Sequence, residues 1–407
     1  MLDYQTKATI YSQLPTCYSP HKCLFLATTT NKAFSMTKQS FKNTALYIAV
    51  LFFVQIYAQA EGADNKTPNA QPQITERQAA IIAECVQSFP ENTEFSLALI
   101  ENDEPVFWGL KRSGDTVIQV NNSTSIFEIG SITKVFTATL LTNFVLTEKL
   151  SLNDPLQTFF DFSLAANDTI TLKQLANHTS GLPRLPTNLN LFLNPNNPYQ
   201  SYDAQKLKEY LSEQVTLAQK PGETYAYSNL GAGLLGFVLA ENAETSYEEL
   251  LQTLIFKKYG MLNSTSQRSK VMQPLVKGLS VTGSETPNWD FDALAGGGAI
   301  LSSVEDLVKF AAAQFDAANK ELLLTQEATF TVNDNMKIGL GWHILRLGAN
   351  RTAIWHNGGT GGYSSSMALD TANKCGVVIL SNVSAFNPAK NKVDRLCFDL
   401  LGTLNAE

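Results

Sequence analysis

"FEIGSITKVFTATLLTNFVL", residues 127–146, decides how the rest of the chain is read. From Ile129 to Thr147 the only charged side chain is Lys134, three positions after Ser131, among aliphatics, Phe, Thr, Ala and one Asn. The pattern predicts a helix from Ser131 to about Val145 that is apolar nearly all round, and such a helix is buried. Residues three apart share a helix face, with Cβ atoms roughly 5–6 Å apart, so Lys134 is expected beside Ser131. Burial lowers a lysine's pKa, and an amine that can give up its proton is able to activate a serine hydroxyl. The Gly130-Ser131 step puts the serine at a helix N-terminus, where its N–H can face a developing oxyanion. Ser-x-x-Lys also occurs at Ser19 ("SPHK") and Ser35 ("SMTK"), and a lysine that snorkels to the surface gives the same spacing. Burial is what sets the third match apart.

The surrounding 407 residues suffice for one large domain or two ordinary ones. A net charge of -7, with no Lys/Arg cluster beyond the first 45 residues, argues against nucleic acid or an anionic membrane surface as partner. It leaves a small neutral or anionic ligand open. Residues 44–57, "TALYIAVLFFVQIY", are apolar, follow Lys38 and Lys42, and precede the small-x-small triplet Ala58-Gln59-Ala60. That reads as a secretory signal. It is shorter than the roughly 20 residues that span a bilayer, so removal is expected, with no stable membrane anchor and a periplasmic or secreted product. A start at Met36 would open a conventional signal peptide and set residues 1–35 outside the functional protein. Residues 1–60 are thus read as leader, the polar stretch 61–74 ("EGADNKTPNAQPQI") as linker, and 75–407 as the folded domain.

Cleavage leaves Cys85, Cys375 and Cys397 in a compartment that permits a disulfide. One pair plus a thiol and three buried thiols both stay open. No Cys-x-x-Cys or His-x-x-x-His spacing occurs, so no metal or organic cofactor is expected.

Residues 75–88 carry helical spacing, and "EFSLALIENDEPVFWGLKR" reads as a hairpin around Asn102-Asp103. Helical pattern returns around 204–218, 230–258 and 303–318. Strands follow in "IGLGWHILRL", "TAIWHNG", "GYSSSMALD" and "GVVILSN", and a helix near 388–402 closes the chain. The expected fold is α/β: an antiparallel sheet from about 75–125 and 335–407, flanked by the N- and C-terminal helices, with a mainly helical subdomain inserted at about 131–330.

Two more motifs bear on chemistry. Tyr227-Ser228-Asn229 offers a phenol for proton transfer and an amide for substrate contact, although alone it is a common loop. In "WHNGGTGGYSS", residues 355–365, a strand ends at His356, and the glycines after it either let a substrate backbone approach the strand edge or simply turn a hairpin. Taken in order, Ser-x-x-Lys, Tyr-x-Asn and a basic residue-x-Gly on a late strand resemble the penicillin-recognising serine hydrolases. The similarity is to the class C β-lactamases with their D-alanyl-D-alanine peptidase and esterase relatives. It covers residues 75–402 and includes "LANHTSGLP" (176–183), "LAGGGAILSSVEDLVKF" (294–310) and "GLGWHI" (339–344). Within "FEIGSITK" the departure is Thr133, where Ser or Ala is usual.

The resemblance implies a β-lactamase/transpeptidase-like fold and a serine hydrolase acting on D-Ala-type peptides, including peptidoglycan peptides, or on β-lactams. An esterase on small acyl esters and a catalytically weak penicillin-binding protein are its alternatives. It further implies Ser131 as nucleophile, Lys134 and Tyr227 as the proton-transfer pair, and Asn229 on the substrate amide. The edge from His356 to Gly358 would line the site, with the N–H groups of Ser131 and Gly359 as oxyanion hole. At His356 many relatives carry Lys, a permanent cation for a substrate carboxylate. An unperturbed histidine is mostly neutral at pH 7, which argues against strong β-lactamase activity. Either its imidazole supplies charge to an anionic substrate or it only hydrogen-bonds within the site. Gly296-Gly297-Gly298 lacks the residues of a phosphate loop, Ser302-x-x-Glu305 reads as a capping box, and His178 and His343 read as structural.

Overall fold

A computed structural model describes residues 73–166, 168–348 and 351–404. The signal stretch lies outside the described residues, as does the linker up to residue 72. Helix α1, Glu76–Gln87, is opened by a capping box in which Thr75 and Gln78 satisfy each other's backbone N–H. Strands β1 (Glu94–Glu101), β2 (Glu104–Ser113) and β3 (Thr116–Gln119) follow. Asn102 and Asp103 turn the first hairpin with φ of 53° and 67°, the positive pair that a two-residue turn demands.

The middle of the chain holds α2 (Thr133–Leu146), α3 (Ala204–Glu213), α4 (Asn229–Asn242), α5 (Val304–Ala313) and α6 (Lys320–Gln326). The end returns to strands β4 (Phe330–Asn333), β5 (Met336–Ile338), β6 (His343–Arg346), β7 (Thr352–Gly359), β8 (Ser364–Asp370) and β9 (Cys375–Ser381), then α7 (Asn391–Leu401). These nine strands form one sheet in the order β3-β2-β1-β9-β8-β7-β6-β5-β4. Every pairing is antiparallel, and β1 joins β9 in the register Ala98↔Val378, so the two ends of the chain complete each other.

Several boundaries differ from the sequence reading. The helix expected over 230–258 breaks after Asn242, because Glu244 takes a left-handed φ of 52° and Ser246 caps a new helix from Tyr247. "IGLGWHILRL" is two strands, β5 and β6, with the glycine-bearing stretch between them turning the chain. The capping box expected at Ser302 and Glu305 does not form. Ser303 caps α5 by accepting from Asp306 N–H, while the Ser302 hydroxyl pairs with Ser264.

Alternation along the strands sorts side chains to two faces. Phe95, Leu97, Leu99, Val377 and Ile379 pack with Ile82 and Val86 of α1 and Val393, Leu396 and Leu400 of α7. Ala98, Ile100, Val378 and Leu380 join the larger core around α2 and α4. Among the described residues no disulfide forms, and Cys375 Sγ instead receives a contact from Arg351 Nη2 at 3.5 Å. None of the described helices is long and apolar enough to cross a membrane.

Candidate active site

Eleven of the fourteen residues of α2 are buried, so its polar groups must find partners inside the protein. Its threonines do so: Thr137 Oγ1 donates to Thr133 O at 3.2 Å and to Gly296 O at 2.8 Å, and Thr139 Oγ1 donates to Val135 O at 2.9 Å. Thr133 accepts from Ile300 N–H at 3.1 Å, which gives its hydroxyl a use in this chain.

Ser131 stands in a single 3-10 turn, Gly130–Ile132, immediately before α2. Gly130 has φ of +52°, and a Cβ there would lie 2.5 Å from Gly359 N, so only glycine lets the serine turn meet the end of β7. Lys134 is 2 % exposed; its Nζ lies 3.0 Å from Ser131 Oγ and 2.6 Å from Gly297 O. Burial, reinforced by the Arg184 guanidinium, holds its pKa well below the usual lysine range. The half-buried Tyr227 hydrogen-bonds to Ser131 through its phenol, and its ring centre lies 5.0 Å from Lys134 Nζ. Burial raises the phenol's pKa, and the bond to Ser131 only partly offsets this, so the phenol keeps its proton at neutral pH.

The turn that carries Tyr227 is held from beneath. Ser228 N–H donates to His178 Nδ1 at 3.2 Å, and the His178 ring lies 4.5 Å from that of Tyr227. His178 takes a left-handed φ of 60° to do this. Asn229 opens α4 just after this turn, and its Oδ1 is buried with no partner among the described residues. Together Ser131, Asn229, Gly359, Tyr199, Trp289 and Phe291 line a small cleft.

His356 is placed differently from the sequence reading. It lies within β7 rather than at its end, is 0 % exposed, and its Nδ1–H donates to Asn357 O at 2.6 Å. Burial first, then the neighbouring His343 and Lys134, push its pKa well below 6.5, so it is neutral at physiological pH. Of the two alternatives left open for this residue, the burial weighs against a charged imidazole, which would be a buried, uncompensated cation beside Lys134, and favours a ring that only hydrogen-bonds within the site. Gly358 is also fixed by packing. A Cβ on it would lie 1.9 Å from Ile129 O, so the glycine lets β7 pack closely against the serine turn.

Sequence reasoning passed over three contributors. Gly297, read only as a failed phosphate loop, supplies the carbonyl that anchors Lys134. Glu128, 4 % exposed, accepts from Asn288 Nδ2 at 2.7 Å and Trp289 N–H at 2.9 Å, and so fixes one wall of the cleft. Burial lifts its carboxyl from the usual 4.5 to about 7 despite these bonds. Arg184 stands with its Cζ 5.1 Å from the centre of the Tyr227 ring. Glu128 could have been noticed as a charge inside an otherwise apolar run; Gly297 and Arg184 carry no local signal. Among the described residues no group of His, Cys, Asp and Glu is placed to hold a metal ion.

A serine flanked by a desolvated amine and a protonated phenol can carry acyl transfer, because it has a group to take the hydroxyl proton and another to give one back. A family model described as Beta-lactamase matches residues 82–400, and the chain belongs to that family. It is 27% identical over 329 residues to the D-alanyl-D-alanine-carboxypeptidase/endopeptidase AmpH of Escherichia coli (strain K12), covering 74% of this chain and 82% of the relative. It is 25% identical over 280 residues to Protein flp of Staphylococcus aureus (strain N315), covering 64% of this chain and 54% of that protein. The chain thus spans about half the length of the flp relatives it matches. The crystal structure of a beta-lactamase/D-alanine carboxypeptidase from Pseudomonas syringae superposes with a TM-score of 0.67 at 20% identity, covering 81% of this chain and 98% of that one, and establishes the fold.

Proposed function

We propose that the chain is a serine hydrolase that works through an acyl-enzyme on Ser131 and acts on D-Ala-type peptides or β-lactams. The observation that carries this reading is the 3.0 Å contact between Ser131 Oγ and a buried Lys134 Nζ whose pKa is depressed. The neutral amine accepts the serine proton as Oγ attacks the substrate carbonyl. The Tyr227 phenol delivers a proton to the leaving nitrogen and is reprotonated from Lys134, leaving an acyl ester on Ser131. Water then attacks that ester by the reverse proton path. The N–H groups of Ser131 and Gly359 receive the oxyanion, a pairing supported by the contact of Gly130 with Gly359. The unpartnered Oδ1 of Asn229 suits a substrate amide N–H, and His356 with Gly358 form the edge behind it. What AmpH is named for, cleavage of D-alanyl peptides, agrees with this class of substrate.

The apolar segment at 44–57 with its small-x-small end supports a product in the periplasm or outside the cell. An esterase acting on small acyl esters is the second reading, favoured by the neutral His356, which puts no cation at the strand edge.

Incubation with a fluorescent penicillin or an activated phosphonate should label the protein on Ser131, with the adduct located by peptide mass spectrometry. Ser131→Ala should abolish it. Absence of both labelling and turnover in the wild-type protein would replace the hydrolase with a binding protein.

A further inference from the structure

Arg184 is the cation of the site that the acyl-transfer chemistry leaves without a task. Its side chain is exposed, on the loop that follows Leu182-Pro183. Its backbone is tied to the machinery, because Arg184 O accepts from Asn229 N–H at 3.0 Å and Leu230 N–H at 3.2 Å. The guanidinium lies over Tyr227, the residue that touches Ser131, with Cζ 5.1 Å from its ring centre. Its charge also adds to the burial that lowers the pKa of Lys134 and His178, and partly opposes the burial that raises those of Tyr199 and Tyr225. Yet among the described residues Arg184 takes part in none of the ion pairs. His356, at the strand position where many relatives carry Lys, is buried and neutral.

We propose that Arg184 is the specificity-determining anion receptor of this site, binding a carboxylate carried by the acyl-donor substrate. This rests on the hydrolase reading of Ser131 and deepens it by assigning the substrate a free carboxylate. A planar guanidinium offers two parallel N–H groups to a carboxylate, a geometry that an ammonium or a neutral imidazole lacks. Its place over Tyr227 brings that anion close to the reacting carbonyl. The carboxylate has two chemical sources: the free C-terminus of a leaving amino acid, or an acidic group on the acyl portion that stays on Ser131.

The test compares kcat/KM within substrate pairs for wild type, Arg184→Ala and Arg184→Lys. One pair is an acyl-D-Ala-D-Ala peptide and its C-terminal amide. The other pair shares a leaving group and differs by a carboxylate or a neutral amide on the acyl part. Ratios within a pair cancel any change in folded fraction or in Lys134 basicity. In one pair the preference for the charged member should fall about 10- to 100-fold in Arg184→Ala, chiefly through KM, and recover in part in Arg184→Lys. A fall in the first pair assigns the carboxylate to the leaving group; a fall in the second assigns it to the acyl part. Unchanged ratios in both pairs, in an enzyme that still turns over the neutral members, would overturn the role of Arg184 alone. A wild type that is not acylated even by a neutral activated ester would overturn the hydrolase reading on which it stands.

Discussion

The two faces of the sheet are built from the same strands and hold opposite chemistry. On the face covered by α1 and α7, the strands meet an aliphatic and aromatic layer. On the face covered by α2 and α4, the core encloses Lys134, Glu128, His178 and His356, all less than 5 % exposed. Strand β7 shows the division within a few residues: Trp355 packs on Phe398 and Asn357 donates to Asp394 of α7, while His356 lies near Tyr227 and Gly358 against Ile129. The difference teaches where the molecule spends stability. Burying an ionisable group without a full set of partners is unfavourable, and the terminal-helix face supplies the apolar burial that offsets it.

That contrast can be broken on either side. On the polar face, Lys134→Ala should slow acylation by roughly 10²- to 10⁴-fold, the usual loss for a general base, with little change in fold. Lys134→Arg should fare no better, since a guanidinium does not give up its proton. Stopped-flow acylation less than tenfold slower across several substrates would remove Lys134 from the mechanism.

On the apolar face, Leu396→Ala in α7 should do the reverse. Truncating a buried leucine costs about 2–5 kcal/mol. Urea unfolding should show that loss, while the acylation rate per folded molecule stays within about twofold of wild type. A comparable loss of rate would mean that the faces are coupled through the sheet.

Glu128 sharpens the comparison through pH. Its folded-state pKa of about 7 exceeds the usual 4.5, so between those values the folded protein binds more protons than the unfolded chain. Stability attributable to Glu128 is therefore full below about pH 4.5 and declines as pH rises through 7, by about 3 kcal/mol at most. Unfolding measured from pH 4.5 to 8 should show this decline, and Glu128→Gln should flatten it. An unchanged slope in the variant would place the titration elsewhere.

Much of this arrangement was legible in the chain. The antiparallel sheet closed by both chain ends follows from strands that succeed one another without crossover helices, and the buried α2 from its single charge. The Ser131–Lys134 contact follows from helical spacing, because it is local. What was not legible depends on distant partners. Gly297 is 163 positions from the lysine it holds, and Glu128 is 160 and 161 from Asn288 and Trp289. The sequence left two roles open for His356 because its type and strand were readable, whereas its burial near His343, Tyr227 and Lys134 was not. The misplaced cap at Ser302 shows a smaller limit: two adjacent serines offer two start points, and the pairing of Ser302 with Ser264 leaves Ser303 to cap.

The central claim is that a desolvated, neutral Lys134 activates Ser131. Its most direct test is the rate of covalent acylation at Ser131 as a function of pH, followed by intact-protein mass spectrometry in wild type and Lys134→Ala. The wild-type rate should rise with pH along a limb whose midpoint lies well below 10.5, the usual lysine value, and that limb should be missing from the variant. The same limb in both proteins, or an adduct on any residue other than Ser131, would contradict the account.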